Sequence, residues 1–305
     1  QVARFQKPEM KGWASLDGNL ILVIEIILMG AILSMNATDQ LLQEMSNAAY
    51  PLTGSFLVSS WLMPIFDGYL PSTLVIIERT AWWFHIVGIF GFALYVTYSK
   101  HLHIFMAFPN TYFSKLTPKG AMEPMPEITS EVKMMLGIPV EGKTTPPPEG
   151  FKFGARDVSD LSRKNLMDAY TCTECGRCTA ECPANLTGKK LSPRKIMMDT
   201  RDRMEEIGKG RSDAKGHDEK FLLGGFISKE EINACTSCNA CVEACPVLIN
   251  PLDIILQLRR YEAMEASGSP ASWNAMFQNV ETNAAPWKFS AQDRFNWSEE
   301  LKNDK

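Results

Sequence analysis

Apolar positions are arranged in two different ways along this 305-residue chain. In the first hundred residues they form long runs. Residues 19–35 (NLILVIEIILMGAILSM) are about as long as a bilayer is thick, and residues 80–98 (TAWWFHIVGIFGFALYVTY) contain no Asp, Glu, Lys or Arg, so both are read as transmembrane helices. Residues 52–66 are apolar but short, broken by Pro64 and closed by Asp67, Gly68 and Pro71, which suits an interfacial or re-entrant segment better than a span. Further along, helices are announced by their caps. Residues 159–169 read as one. Ser192-Pro193 opens another that Gly208 should end. Ser228 and Glu231 form a capping box, and Asn250-Pro251 starts the helix PLDIILQLRRYEAMEA. The expected fold is mainly α.

Charge gives the spans a direction. Residues 12–78 contain no Lys or Arg, whereas Arg4, Lys7 and Lys11 precede them and Arg79, Lys100, Lys115 and Lys119 follow. Two spans return both flanks to one side, and the positive charge marks that side as cytoplasmic, with the loop containing Asp39, Glu44 and Asp67 outside. A net charge of -4 without a basic stripe excludes nucleic acid as a partner. The sequence starts at Gln1 without an initiator Met or a signal-peptide pattern, as expected of a fragment or an incompletely covered chain.

All eight cysteines fall in two copies of one motif: Cys172, Cys175, Cys178 and Cys182-Pro183, then Cys235, Cys238, Cys241 and Cys245-Pro246. Three thiolates at intervals of three residues can wrap one face of an iron-sulfur cube, while the fourth, followed by Pro, points to the neighbouring cube. Two [4Fe-4S] clusters with crossed ligation follow, one on Cys172, Cys175, Cys178 and Cys245, the other on Cys235, Cys238, Cys241 and Cys182. Zinc would leave the regular spacing without a purpose, and disulfides would need an oxidising compartment. Clusters need reduced thiolates, which again turns this part of the chain to the cytoplasm. Residues 183–234 separate the motifs too widely for a compact βαβ ferredoxin, so an all-helical dicluster ferredoxin domain is expected.

Three of the four histidines lie on or just beyond the second span. If its helix continues to residue 105, His85 and His103 are five whole turns apart, on one face, with a rise of roughly 27 Å that puts one imidazole near each membrane surface. Stacked b-type haems want that arrangement, and a buried histidine without a partner is costly. His101 then falls on nearly the opposite face. The competing reading makes His85, His101 and His103 solvated interface residues, with 100–103 as positive-inside anchoring. Residues 1–79 contain no histidine, so second haem ligands must come from a missing segment or another subunit. Glu25, inside the first span, suits a proton or quinone role or a hydrogen bond to a neighbouring helix equally well.

Pro124, Pro126, Pro139 and the run TTPPP at 144–148 mark a tether with little regular structure. His217 reads as solvated. Trp273, Phe277, Trp287, Phe289, Phe295 and Trp297 dot a polar tail that either docks a partner or packs back on the cluster domain. The expected organisation is a membrane domain over 1–115, a linker over 116–155, the dicluster domain over 156–268 and a docking tail over 269–305.

Taken in this order, the stretches IIERTAWWFHIVGIFGFALYVTYSKHLHIFMAFPNTYFS, LMDAYTCTECGRCTAECPAN and ACTSCNACVEACPVLINPLD resemble membrane iron-sulfur oxidoreductases related to heterodisulfide reductase. In that family a nitrate-reductase-gamma-like haem b domain precedes a dicluster 4Fe-4S ferredoxin domain. The resemblance covers most of residues 72–297. It implies electron transfer between membrane quinone and a soluble partner through haem b and [4Fe-4S] clusters, some members serving electron-transfer flavoprotein, and His85 and His103 match the family's haem helix. Two parts of the family pattern have no counterpart here: the N-terminal helices with the remaining haem ligands, and a C-terminal module with paired cysteines. Substrate chemistry should therefore sit on a cytoplasmic cysteine-rich or flavin protein, with no catalytic residue in this chain. The expected role is an oxidoreductase subunit of a respiratory chain in the cytoplasmic membrane, carrying two haems b and two clusters. The alternative is a membrane-anchored ferredoxin-like carrier without haem or quinone site.

Overall fold

The computed structural model describes residues 16–45, 48–139, 152–212 and 220–303. Arg4, Lys7, Lys11, the run at 144–148 and His217 lie outside the described residues. Among the described residues the elements are helices and turns, and the sole β pairing is an isolated bridge between Leu223 and Ile227. The fold is mainly α. Two compact units are formed, one from Gln1–Lys115, Met167–Ala180 and Cys245–Ile249, the other from Leu116–Leu166, Glu181–Ala244 and Asn250–Lys305.

In the first unit α1 (Leu16–Glu44) packs against α2 (Pro71–Val96). Both are long and apolar enough to cross a membrane, and little of either is buried. They meet at Gly88, where a Cβ would run into the side chain of Leu28. Leu41, Leu42 and Leu74 form a small core, flanked by Met63 and Phe66. The segment between the helices never reaches span length. It makes a 3-10 turn at Ser59–Leu62 and a single α-turn at Met63–Phe66, and its amides at Thr53 and Phe56 donate to the side chains of Gln43 (3.0 Å) and Gln40 (3.2 Å).

The second span does not continue to residue 105. Helix α2 stops at Val96, Ser99 is extended (φ -108, ψ 168), Lys100–Leu102 is a 3-10 turn, and α3 (His103–Tyr112) starts afresh. Side-chain acceptors cause the break: Ser99 Oγ takes the His101 amide (3.2 Å) and Asp17 Oδ2 takes the Lys100 amide (2.8 Å), while Asp17 Oδ1 accepts the Tyr95 hydroxyl. The helical phase that set His85 and His103 on one face, and His101 on the other, therefore does not hold.

In the second unit, α4 (Pro126–Met135) occupies part of the stretch expected to be extended, with Pro126 in the first turn, where its missing N–H costs nothing. A 3-10 turn at Val158–Asp160, closed by an Asp157/Asp160 capping box, precedes α5 (Arg163–Thr171). This helix starts later than expected because Ser162 Oγ accepts the Asn165 amide (3.2 Å). Helix α6 (Pro193–Ser212) is capped by Ser192 and runs past Gly208. The capping box at Ser228/Glu231 opens α7 (Lys229–Ala234), and Asn250 caps α8 (Pro251–Arg260), which ends in a π-turn over Tyr261–Glu265. Ile196, Met197, Leu222, Ile227, Ile232, Ile254, Ile255 and Leu258 are wholly buried. Buried Arg203 forks onto Asp157 (2.9 Å), whose other oxygen accepts the Leu222 amide (3.2 Å). Helices α9 (Ala271–Asn283) and α10 (Trp297–Asn303) leave Trp273, Phe277, Trp287, Phe289, Phe295 and Trp297 exposed.

Candidate iron-sulfur and haem sites

The two cysteine motifs fold as repeats of one backbone form. The residue before the second cysteine is left-handed in each, Glu174 (φ 59) and Ser237 (φ 55), and so is the residue after it, Gly176 (φ 81) and Asn239 (φ 62). Glycine and asparagine tolerate that region, whereas it costs the other two more. One-turn helices follow, Arg177–Ala180 and Ala240–Glu243, each with the third cysteine as its second residue. Gly176 O accepts from the amides of Thr179 and Ala180, and Asn239 O accepts from those of Val242 and Glu243, at 3.0 to 3.1 Å.

All eight cysteines are free thiols. Cys172, Cys175, Cys178 and Cys245 belong to the first unit, and Cys182, Cys235, Cys238 and Cys241 to the second. In the second group the thiols act on one another. Burial, together with the charges of Cys235, Cys182 and Cys238, pushes the Cys241 thiol up to about 12. Burial also raises Cys235, opposed by the Ser237 amide (3.4 Å) and by Arg259. In the first group burial raises Cys245, against the amides of Ile249 and Val247, while Cys175 and Asp168 add to the rise. Cys235 and Cys241, raised in this way, suit a cationic iron cage, which would supply the charge that keeps them deprotonated. Among the described residues no three His, Cys, Asp or Glu side chains gather around a single-ion position.

Each loop is clamped by a cation at its left-handed residue. In the first unit Lys100 Nζ meets Glu174 Oε2 at 2.6 Å, Thr171 Oγ1 donates to Met106 O (3.4 Å) and Asn110 Nδ2 to Val247 O (2.9 Å). The turn after α2 and helix α3 thus hold both the first loop and the segment behind Cys245. In the second unit Arg259 donates to Ser237 Oγ (3.3 Å) and to the carbonyls of Ile232 (2.8 Å), Asn233 (3.2 Å) and Cys235. Sequence reasoning singled out none of Asp17, Asn110, Glu174 or Arg259. A carboxylate inside a cysteine loop and an arginine ending a capped helix were the available signals.

The structure does not bring His85 and His103 together: one lies within α2, the other begins α3. Their rings are committed alike. His85 Nδ1 lies 2.9 Å from Leu28 O, and His103 Nδ1 lies 2.6 Å from Lys100 O. A carbonyl only accepts, so Nδ1 carries a proton, and in the neutral ring Nε2 is then the nitrogen left with a lone pair, the arrangement of a metal-ligating histidine. His101 differs, with Nε2 facing Glu25 Oε1 at 3.5 Å. Its ring sits 5.8 Å from that of His103. Glu25 thus meets a histidine beyond the neighbouring helix.

Residues 171–249 match the model of the 4Fe-4S dicluster domain. The chain is 29% identical to the probable iron-sulfur-binding oxidoreductase FadF of Bacillus subtilis over 79% of its own length and 37% of that protein. It is 29% identical to EtfAB:quinone oxidoreductase of Syntrophomonas wolfei over 98% of this chain and 43% of the relative. A probable membrane-anchored ferredoxin of Chromohalobacter salexigens is 28% identical over 48% of this chain and 24% of its own. The chain thus spans about two fifths of the first two relatives, and no solved structure matches it. The chain is thus similar to a 4Fe-4S dicluster domain over 171–249, and to iron-sulfur oxidoreductases and heterodisulfide reductase subunits.

Proposed function

We propose that this chain is the conducting part of a quinone-linked membrane oxidoreductase. Cys172, Cys175, Cys178 and Cys245 would hold one [4Fe-4S] cluster, Cys182, Cys235, Cys238 and Cys241 would hold a second, and His85 and His103 would each hold a haem b. When bound, these groups supply one-electron transfer between quinone and a soluble cytoplasmic partner of cysteine-rich or electron-transfer-flavoprotein type. The protein's share is to fix ligand geometry, to keep the thiols and imidazole Nε2 atoms available, and to exclude water. Helices α1 and α2 cross the membrane, with both flanks on the cytoplasmic side, and the other haem ligands come from elsewhere in the complex. A relative's name, EtfAB:quinone oxidoreductase, supports the choice of partners.

The observation that carries this reading is the makeup of the first unit: the helix of His85, the turn of His103 and one cysteine quartet pack as one body, joined by Lys100 and Glu174 at 2.6 Å. Electrons entering at membrane depth then have a short way to a cluster. The competing membrane-anchored ferredoxin is favoured by another relative's name and has no use for paired Nδ1–carbonyl bonds. Membranes containing the complex should give a reduced-minus-oxidised b-haem spectrum and about eight irons per chain in clusters. His103→Ala should stop quinol from reducing the clusters yet leave artificial dyes able to do so. Full cluster content with no haem absorbance would give the function to the ferredoxin reading, and unchanged quinol-dependent reduction in the variant would refute the route.

A further inference from the structure

The two cysteine loops share a backbone but not a charge. At the left-handed position before the second cysteine the first loop has Glu174, and its carboxylate neutralises Lys100 at 2.6 Å, with both side chains largely buried. At the same position the second loop has Ser237, whose hydroxyl accepts from Arg259 at 3.3 Å and leaves the guanidinium charge in place. Among the described residues Arg259 meets carbonyl and hydroxyl oxygens only, including Cys235 O. Of the two cations held at the left-handed residues, Lys100 is paired with a carboxylate and Arg259 with a hydroxyl.

We infer that Arg259 is a positioning and charge-setting residue that makes the cluster on Cys182, Cys235, Cys238 and Cys241 the more readily reduced of the two. Reduction adds one negative charge to a cubane, and a fixed positive charge held on the backbone of a ligand residue would stabilise that state in a partly buried site where water screens poorly. Arginine suits the task because it stays charged and its planar fork also satisfies the carbonyls of the loop. The inference rests on the ligand assignment above.

The test is a redox titration of the purified complex, followed by electron paramagnetic resonance so that the two clusters are read separately. In Arg259→Gln the midpoint of the second cluster should shift to lower potential and that of the first should stay. Arg259→Lys should keep the second midpoint close to that of the unaltered protein, since it retains the charge but not the fork. Ser237→Asp gives the second loop the pairing of the first without touching Arg259, at a left-handed position that aspartate tolerates, and should also lower the second midpoint. Glu174→Gln should raise the first midpoint alone. Two clusters with unmoved midpoints in Arg259→Gln and Ser237→Asp would overturn the inference while leaving the ligands standing. Loss of the second cluster in both Arg259 variants, with Ser237→Asp unshifted, would reduce Arg259 to a structural clamp and overturn it equally. Fewer than two clusters in the unaltered complex would instead overturn the ligand assignment.

Discussion

On α1 and α2 Ile26, Ile27, Trp83, Phe90 and Leu94 face outward, whereas on α8 Ile254, Ile255 and Leu258 are fully buried among the helices of the second unit. Similar side chains are used in opposite directions. In water each exposed aliphatic or aromatic side chain forgoes roughly 1.5–3 kcal/mol of burial, so the outward set calls for an apolar surrounding. Polar groups follow the same division. Around α1 and α2 the polar contacts of Gln40, Gln43 and half-buried Asp17 lie at helix ends, while the second unit builds Arg203, Asp157, Asn165 and Asp253 into its interior. A core in the second unit is made by excluding water, and in the first, among the described residues, Leu41, Leu42 and Leu74 form a small cluster.

Substitution at the two kinds of site should separate them. Ile255→Ala should cost about 2–5 kcal/mol through lost burial and the cavity left behind, read as a lower denaturant midpoint with bleaching of cluster absorbance; a loss under ~1 kcal/mol would mean the second unit is not the rigid core drawn here. Ile26→Asp, at a side chain that is 69% exposed, should oppose membrane insertion by roughly 3 kcal/mol and shift protein from the membrane fraction. Unchanged partitioning would break the comparison, since a carboxylate in water at that position is nearly neutral. The smallest effect concerns pH. Burial holds the Asp199 carboxyl up at about 6 against the pull of Lys195 at 2.6 Å, and the same lysine also meets Glu231 at 2.9 Å. A carboxyl raised by folding binds its proton more tightly folded than unfolded. The second unit should therefore gain stability as pH falls from 7 through about 6, levelling off below the ordinary value of 3.8. Asp199→Asn should flatten that part of the profile in urea titrations from pH 7 to 5, and an unchanged slope would assign the titration elsewhere.

What could be read from the sequence was whatever depends on near neighbours. Ser192, Ser228 and Asn250 cap helices where their residue types promise, since a cap needs only the next three amides. The long apolar helices were equally legible. Regular phase carried too far was the failure: nothing in YVTYSKHLH announces that Asp17, at the far end of another helix, takes the Lys100 amide and stops α2. Likewise α6 overruns Gly208, because glycine weakens a helix without ending it when the turns on both sides are formed. The cysteine spacing gave the candidate ligands, but their clamps, Lys100 on Glu174 and Arg259 on Ser237, depend on contacts that only the folded chain makes.

The grouping of Cys245–Ile249 with the first unit sets an order of events during synthesis. Asn110 waits for the carbonyl of Val247, 137 positions later, so the first unit cannot close while the ribosome is still translating the second motif. Helices α1 and α2 would already have left the ribosome by then, and the first three cysteines would stand open in the meantime. A chain cut or stalled anywhere within residues 181–244 would keep its apolar helices and lose the closing strap of its first unit.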